Sequence, residues 1–123
     1  MIIQKHRRKK ILIVEDDPFI AMDLEDAFLF AGFTVLGPVA QVTAGLKIVE
    51  THRPDIAALD YNLGNETSTA IAKALSKMDV PYVFVTGQIE RVVQDNDLKH
   101  APLFSKPYNP AELVDAVSSM LAA

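Results

Sequence analysis

The sequence predicts a three-layer, doubly wound α/β domain, (βα)5 in order, built around a five-stranded parallel sheet. Three observations predict it. Five short apolar runs fall at residues 11–14, 33–36, 56–60, 80–85 and 101–105, each closed by polar residues or by Gly and Pro. Most of these runs are apolar without alternation, the pattern of strands buried on both faces. Between and after them come stretches whose apolar residues recur at helical spacing, and strands alternating with helices of ordinary length imply crossover units with helices on both sides of a parallel sheet.

The first strand, residues 11–14, is Ile-Leu-Ile-Val, followed at once by Glu15-Asp16-Asp17-Pro18. Asp17 before Pro18 suits an N-cap followed by a proline in the first helical turn, and Ile20, Leu24, Ala27, Phe28 and Ala31 then share one predicted helical face. Gly32 stops this helix, residues 33–36 form a short second strand, and Gly37-Pro38 is expected to turn the chain. Thr43 can start a second helix carrying Ala44, Leu46, Ile48 and Val49, with Arg53-Pro54 closing it. The third strand ends in Leu59-Asp60. A polar loop, Gly64-Asn65-Glu66-Thr67, leads to a third helix that buries Ala70, Ile71, Ala74, Leu75 and Met78 and runs to about Asp79. Residues 80–85 make a fourth strand that ends at Thr86-Gly87, and a thin stripe of Ile89, Val92 and Val93 predicts a helix over 88–97. The fifth strand precedes Lys106-Pro107, and Asn109-Pro110 opens a last amphipathic helix with Leu113, Val114, Val117, Met120 and Leu121.

Composition narrows the chemistry. The 123 residues, half of them hydrophobic, suffice for one domain with a sizeable core. The absence of cysteine excludes disulfides, thiolate catalysis and cysteine-based zinc sites, and suits a cytoplasmic location. His6, His52 and His100 have no metal-ligand spacing. The formal charge of -4 is uneven: Lys5, Arg7, Arg8, Lys9 and Lys10 precede the first strand, and the rest of the chain carries all 16 acids. Such an acidic body excludes broad nucleic-acid binding, and the basic arm is expected to be a solvated tail. The first apolar run is too short for a signal peptide or a membrane span.

The carboxyl ends of parallel strands share one edge of the sheet, where ligands bind in open α/β folds. That edge is predicted to gather Glu15, Asp16 and Asp17 from the first strand, Asp60 from the third, Thr86 from the fourth and Lys106 from the fifth. Converging carboxylates repel one another unless a hard cation lies among them, and an oxygen-ligated divalent ion such as Mg2+ is the ordinary solution. A nucleophilic carboxylate, a metal, a hydroxyl and an ammonium together suit phosphoryl transfer. Any one of these residues alone would be an ordinary turn cap or surface charge; their order on successive strand ends is harder to obtain by chance.

With Glu15-Asp16, Leu59-Asp60, Thr86-Gly87 and Lys106-Pro107 on the ends of the first, third, fourth and fifth strands, the chain from Lys9 onward resembles the receiver domain of bacterial two-component response regulators. The resemblance implies a flavodoxin-like fold, with residues 1–8 a basic N-terminal arm and 9–123 the receiver domain. It implies that Asp60 is the phosphoacceptor, that Glu15 and Asp16 are the acid pair with Asp16 a direct Mg2+ ligand, and that the Asn62 carbonyl completes the metal site. Thr86 and Lys106 would then contact phosphoryl oxygens. The implied partners are a histidine kinase or phosphotransfer protein upstream and a downstream protein, with no nucleic acid, no membrane and a monomer or weak homodimer. The chain stops about one helix after the last strand, so a stand-alone receiver is expected. The segment Phe84-Val85-Thr86-Gly87, with the loop from Leu63 to Ser68, also resembles an alphaproteobacterial branch marked by a Phe-Ala-Thr-Gly-hydrophobic-Tyr motif, from which Gln88 and Ile89 depart.

Two further departures concern the output. Leu103 stands where many receivers carry a switch Phe or Tyr, and strand alternation places Phe104 and Tyr108 on a different course. A proline common after the phosphoacceptor is replaced by Gly64 and Asn65. The alternative class is therefore a receiver-fold binding module that acts without phosphate. A haloacid-dehalogenase-like phosphatase needs Asp-x-Asp where this chain has Asp60-Tyr61-Asn62, and a dinucleotide-binding fold needs a G-x-G-x-x-G that is missing.

Overall fold

In a computed structural model of the chain, residues 8–87 and 101–122 are described. They contain β1 (Lys10–Val14), α1 (Pro18–Phe30), β2 (Thr34–Val39), α2 (Val42–His52), β3 (Ile56–Asp60), β4 (Asn62–Leu63), β5 (Glu66–Thr67), α3 (Thr69–Lys77), β6 (Tyr82–Thr86), β7 (Leu103–Ser105) and α4 (Pro110–Ala122). Five strands form one parallel sheet in the order β2-β1-β3-β6-β7. The expected doubly wound, flavodoxin-like α/β architecture is therefore the observed one. The predicted helix over 88–97 lies outside the described residues.

The sheet separates two cores. Leu12, Val14, Ala57, Leu59 and Phe84 face Val49 of α2 and Ile71, Ala72 and Leu75 of α3. Ile11, Ile13, Ile56, Ala58, Val83 and Val85 face Leu24 and Phe28 of α1 and Leu113 and Val117 of α4. Successive residues of one strand thus enter opposite cores, which is why these strands are apolar without alternation along their interiors.

Several local expectations are corrected. β2 does not turn at Gly37-Pro38 but runs through it to Val39, with a register irregularity between Leu12 and Val14 of β1. Gly37 has φ 93°, and a Cβ there would meet the Ile13 carbonyl oxygen and the Val39 nitrogen at 2.9 Å, so the close approach requires glycine. β2 is an edge strand, where a proline removes no ladder bond that the sheet needs. The polar stretch after Asp60 is not only a loop: β4 and β5 pair as a small antiparallel ribbon, and the Val42 N–H donates to Glu66 Oε2 at 3.3 Å, fastening the ribbon to the start of α2. α3 stops at Lys77, ahead of Asp79 with its left-handed φ of 57°, and buries Ala72 while Ala70 is exposed. On α1 the buried residues are Ala21, Leu24 and Phe28, whereas Ala31 is the exposed cap.

Candidate functional site

The site follows from strand register. In the β1–β3 pairing Val14 lies opposite Leu59, so the next residues, Glu15 and Asp60, emerge side by side. Asp60 pairs with Val85 and Thr86 pairs with Ser105, so Thr86 and Lys106 emerge at the same edge one step later. The backbone fixes these ends further. The Glu15 N–H donates to the Val39 carbonyl at 2.9 Å, the Tyr61 N–H to the Val85 carbonyl at 3.3 Å, and the Lys106 N–H to the Thr86 carbonyl at 2.9 Å. The first of these bonds depends on β2 continuing past Gly37-Pro38, which the sequence pattern alone did not predict.

At this edge Glu15, Asp16 and Asp60 each offer a carboxylate oxygen, all within 4.8 Å of one another. Glu15 and Asp60 are buried, Asp16 is exposed, and Thr86 is buried beside them. Lys106 Nζ lies 3.0 Å from Glu15 Oε1 and 3.1 Å from Asp60 Oδ2. An open cleft of about 540 Å3 is lined by Asp16, Asp60, Asn62, Gly64, Thr86, Gly87 and Lys106. The expected residues therefore converge: Asp16, Asp60, Asn62, Thr86 and Lys106 line one cleft, and Glu15 sits against two of them. Asp17 stands apart. Its Oδ1 accepts from the N–H groups of Phe19 at 2.9 Å and Ile20 at 3.2 Å, capping α1, while its own N–H donates to Glu15 Oε2 at 3.1 Å. This orienting bond to Glu15 is a role that the sequence did not reveal.

Electrostatics follow from crowding. Burial, then the hydrogen bond and negative charge of Glu15, raise the Asp60 pKa from 3.8 to about 7, against the opposing pull of Lys106. Desolvation of Lys106 would lower its pKa, but the hydrogen bonds and charges of Glu15 and Asp60 outweigh it and the net shift is upward from 10.5. Two buried carboxylates and an exposed third, with the Lys106 ammonium against two of them, form among the described residues an oxygen donor set that fits a hard divalent cation such as Mg2+.

Sequence reasoning missed the aromatic contacts under this edge. Phe84 meets Tyr61 with ring centroids 5.9 Å apart and Tyr82 at 5.4 Å, both edge to face. Leu103 pairs with Phe84 and packs in that same core, whereas Phe104 and Tyr108 belong to the opposite one, as the alternation implied. The signal was available in the i, i+2 spacing of Tyr82, Phe84 and Thr86. Tyr108 lines a separate cavity of about 330 Å3 between α1 and the start of α4, with Ile20, Asp23, Lys106, Pro107 and Pro110. Its hydroxyl is buried, and burial, followed by the charges of Glu15, Asp60 and Asp23, holds its pKa well above the ordinary 10.0.

The profile of the response regulator receiver domain family matches residues 11–118. This chain belongs to that family. It is 35% identical over 115 residues to the phyllosphere-induced regulator PhyR of Methylorubrum extorquens, covering 91% of this chain and 43% of that one. The chemotaxis protein CheY of Thermotoga maritima is 27% identical over 119 residues, with 91% of this chain and 97% of CheY covered. Among solved structures, SdrG from Sphingomonas melonis superimposes with a TM-score of 0.78 at 39% identity, covering 94% of this chain and 98% of SdrG. The receiver spans about half the length of several curated relatives, PhyR among them. No helix among its described residues is long and apolar enough to cross a membrane.

Proposed function

We propose that this receiver accepts a phosphoryl group on Asp60 from a phosphohistidine of a histidine kinase or phosphotransfer protein, and passes the signal on through protein contacts. The observation that carries this reading is the convergence of Glu15, Asp16 and Asp60 within 4.8 Å, beside a buried Thr86 and the Lys106 ammonium. An Asp60 carboxylate oxygen attacks phosphorus; the new O–P bond forms as the N–P bond to the imidazole breaks, and the imidazole leaves with the N–P electron pair and takes up a proton. Glu15, Asp16, Asp60 and the Asn62 carbonyl would hold Mg2+, which when bound supplies charge neutralisation for the phosphoryl oxygens. Asp60 has to be ionised to attack, and Lys106 at 3.1 Å favours that form against burial and Glu15. After transfer the Lys106 ammonium and the Thr86 hydroxyl would bind two phosphoryl oxygens and draw β6 and β7 toward the modified Asp60. The output partner is a protein, consistent with a body of residues 11–123 that holds every acid of the chain.

The test is chemical. Incubation with a small acyl phosphate and Mg2+ is expected to add one acid-labile phosphoryl group, seen by intact mass, that is lost in Asp60→Asn and in excess EDTA. No adduct on the wild type, or the same adduct on Asp60→Asn, would overturn the assignment.

A further inference from the structure

The cavity beside Tyr108 has no part in the phosphoryl chemistry, yet it has the size and lining of a small-molecule site. Its volume of about 330 Å3 falls within the range of ligand pockets, roughly 300–1,000 Å3. Ile20 of α1 and Pro107, Tyr108 and Pro110 make its wall mainly apolar, and Asp23 and Lys106 bring charge to it. Glu15, Asp16, Asp60 and Asn62 do not line it, so it is separate from the acid cluster. Among the described residues Lys106 alone lines both this cavity and the Asp60 cleft.

The lining selects for charge. The Lys106 ammonium is committed elsewhere, 3.0 Å from Glu15 Oε1 and 3.1 Å from Asp60 Oδ2. α1 brings Asp23 to the wall, with Glu25 and Asp26 further along and no basic residue to offset them. After burial, the negative charges of Glu15, Asp60 and Asp23 all act on Tyr108 in the same sense and keep its phenol protonated. A group entering this cavity therefore meets a negative potential, which repels a carboxylate and attracts an ammonium or amidinium. The Tyr108 hydroxyl adds a second demand: it is buried with no hydrogen-bond partner among the described residues, an unfavourable state until one is supplied. A protonated phenol still has oxygen lone pairs that accept from an N–H donor, and the face of its ring attracts a cation.

We propose that this cavity is a binding site for a small organic cation, a protonated amine or amidine on a flat apolar body. The body packs against Ile20, Pro107 and Pro110, and the charged end is held by the Asp23 carboxylate and by Tyr108. An organic anion is the poorer occupant, because it would have to win Lys106 from two carboxylates at once. A neutral molecule of the same shape keeps the apolar contacts and loses the attraction to Asp23.

The experiment titrates benzamidine into the full chain in EDTA and follows amide NMR shifts, with benzamide as the neutral control and benzoate as the anionic one. Benzamidine is expected to shift Ile20, Asp23, Lys106 and Tyr108 along one saturable curve, benzamide to bind more weakly and benzoate to leave these amides in place. Asp23→Asn, at an exposed position, is expected to weaken benzamidine about threefold to fivefold, as loss of a partly exposed ion pair does, and to leave benzamide unchanged. Ile20→Trp fills the cavity from its wall and is expected to abolish binding of both; where that variant fails to fold, the Asp23→Asn comparison decides. Benzamidine that binds no better than benzamide, or equally well to Asp23→Asn, would overturn the proposal. So would shifts centred on Asp16, Asp60 and Asn62 that Mg2+ reverses, since the cation would then sit among the acids of the cleft.

Discussion

Lys106 holds two buried carboxylates at once, with Nζ 3.0 Å from Glu15 and 3.1 Å from Asp60. Its side chain is 22% exposed, so it forms the solvent-side boundary of the acid cluster. Lys106→Met keeps the length of the stem and removes the charge. Breaking a deeply buried pair costs about 3–5 kcal/mol. At this partly open edge the acids can take up a proton instead, so about 1–3 kcal/mol is expected from urea unfolding in EDTA. Saturating Mg2+ should recover more of that loss than it adds to the wild type, and an equal Mg2+ increment in both proteins would contradict the arrangement. The identity of Lys106 was legible in the sequence because Lys-Pro follows a fifth apolar run; its double contact was not, since nothing in the order of residues says that Glu15 and Asp60 emerge in register.

Elements were legible where a single periodicity governs a stretch and hidden where two contacts compete. β1, β3 and β6 are apolar along their interiors because both cores claim them, and the pattern shows it. β2 continues through Gly37-Pro38 because the Val39 carbonyl receives the Glu15 N–H, a long-range bond that overrides a strong local turn signal. The ribbon of β4 and β5 is two residues a side, below the length at which alternation can be recognised. Gly45 is the sharpest case. In a helix interior it costs about 1 kcal/mol relative to Ala, yet a Cβ there would stand 2.6 Å from Ile71 Cδ1, so it sets the approach of α2 to α3. Ile71 is fully buried, and the atom in the way is the free end of its side chain, which can turn aside at a cost in packing. Gly45→Ala is therefore expected to gain about 1 kcal/mol of helix propensity and to lose about 1–2 kcal/mol to overpacking, a net change of about 0–1 kcal/mol toward lower stability. Ile71→Val removes the clashing methyl at a cost of about 1 kcal/mol. The double variant should be more stable than the sum of the two, as a double-mutant cycle in urea would show; simple additivity would mean that the two helices do not meet through this pair.

At the scale of the whole molecule, the order β2-β1-β3-β6-β7 sets β1 beside β3 and so stacks their terminal acids at one edge, a placement that serves a site and opposes the fold. The opposition has a definite pH signature. Asp60 ionises near 3.8 when the chain is unfolded and at about 7 in the fold, so between those values the native state binds more protons and stability falls as pH rises. Lys106 acts in another range: its pKa is raised above 10.5, so its contribution is complete below that value and is lost only as pH climbs beyond it, leaving the lower window to the acid. In EDTA the wild type is expected to lose about 1–2 kcal/mol between pH 5 and 8 from this group, the full shift being discounted for solvent at the edge. Asp60→Asn removes the titration, so its curve should cross the wild type's and lie above it at pH 8. Mg2+ at pH 8 should then raise the wild type more than the variant, since a ligand stabilises only the state that binds it. Urea midpoints at unchanged m decide the matter, and parallel pH curves for the two proteins would show that the fold does not oppose the charge on Asp60.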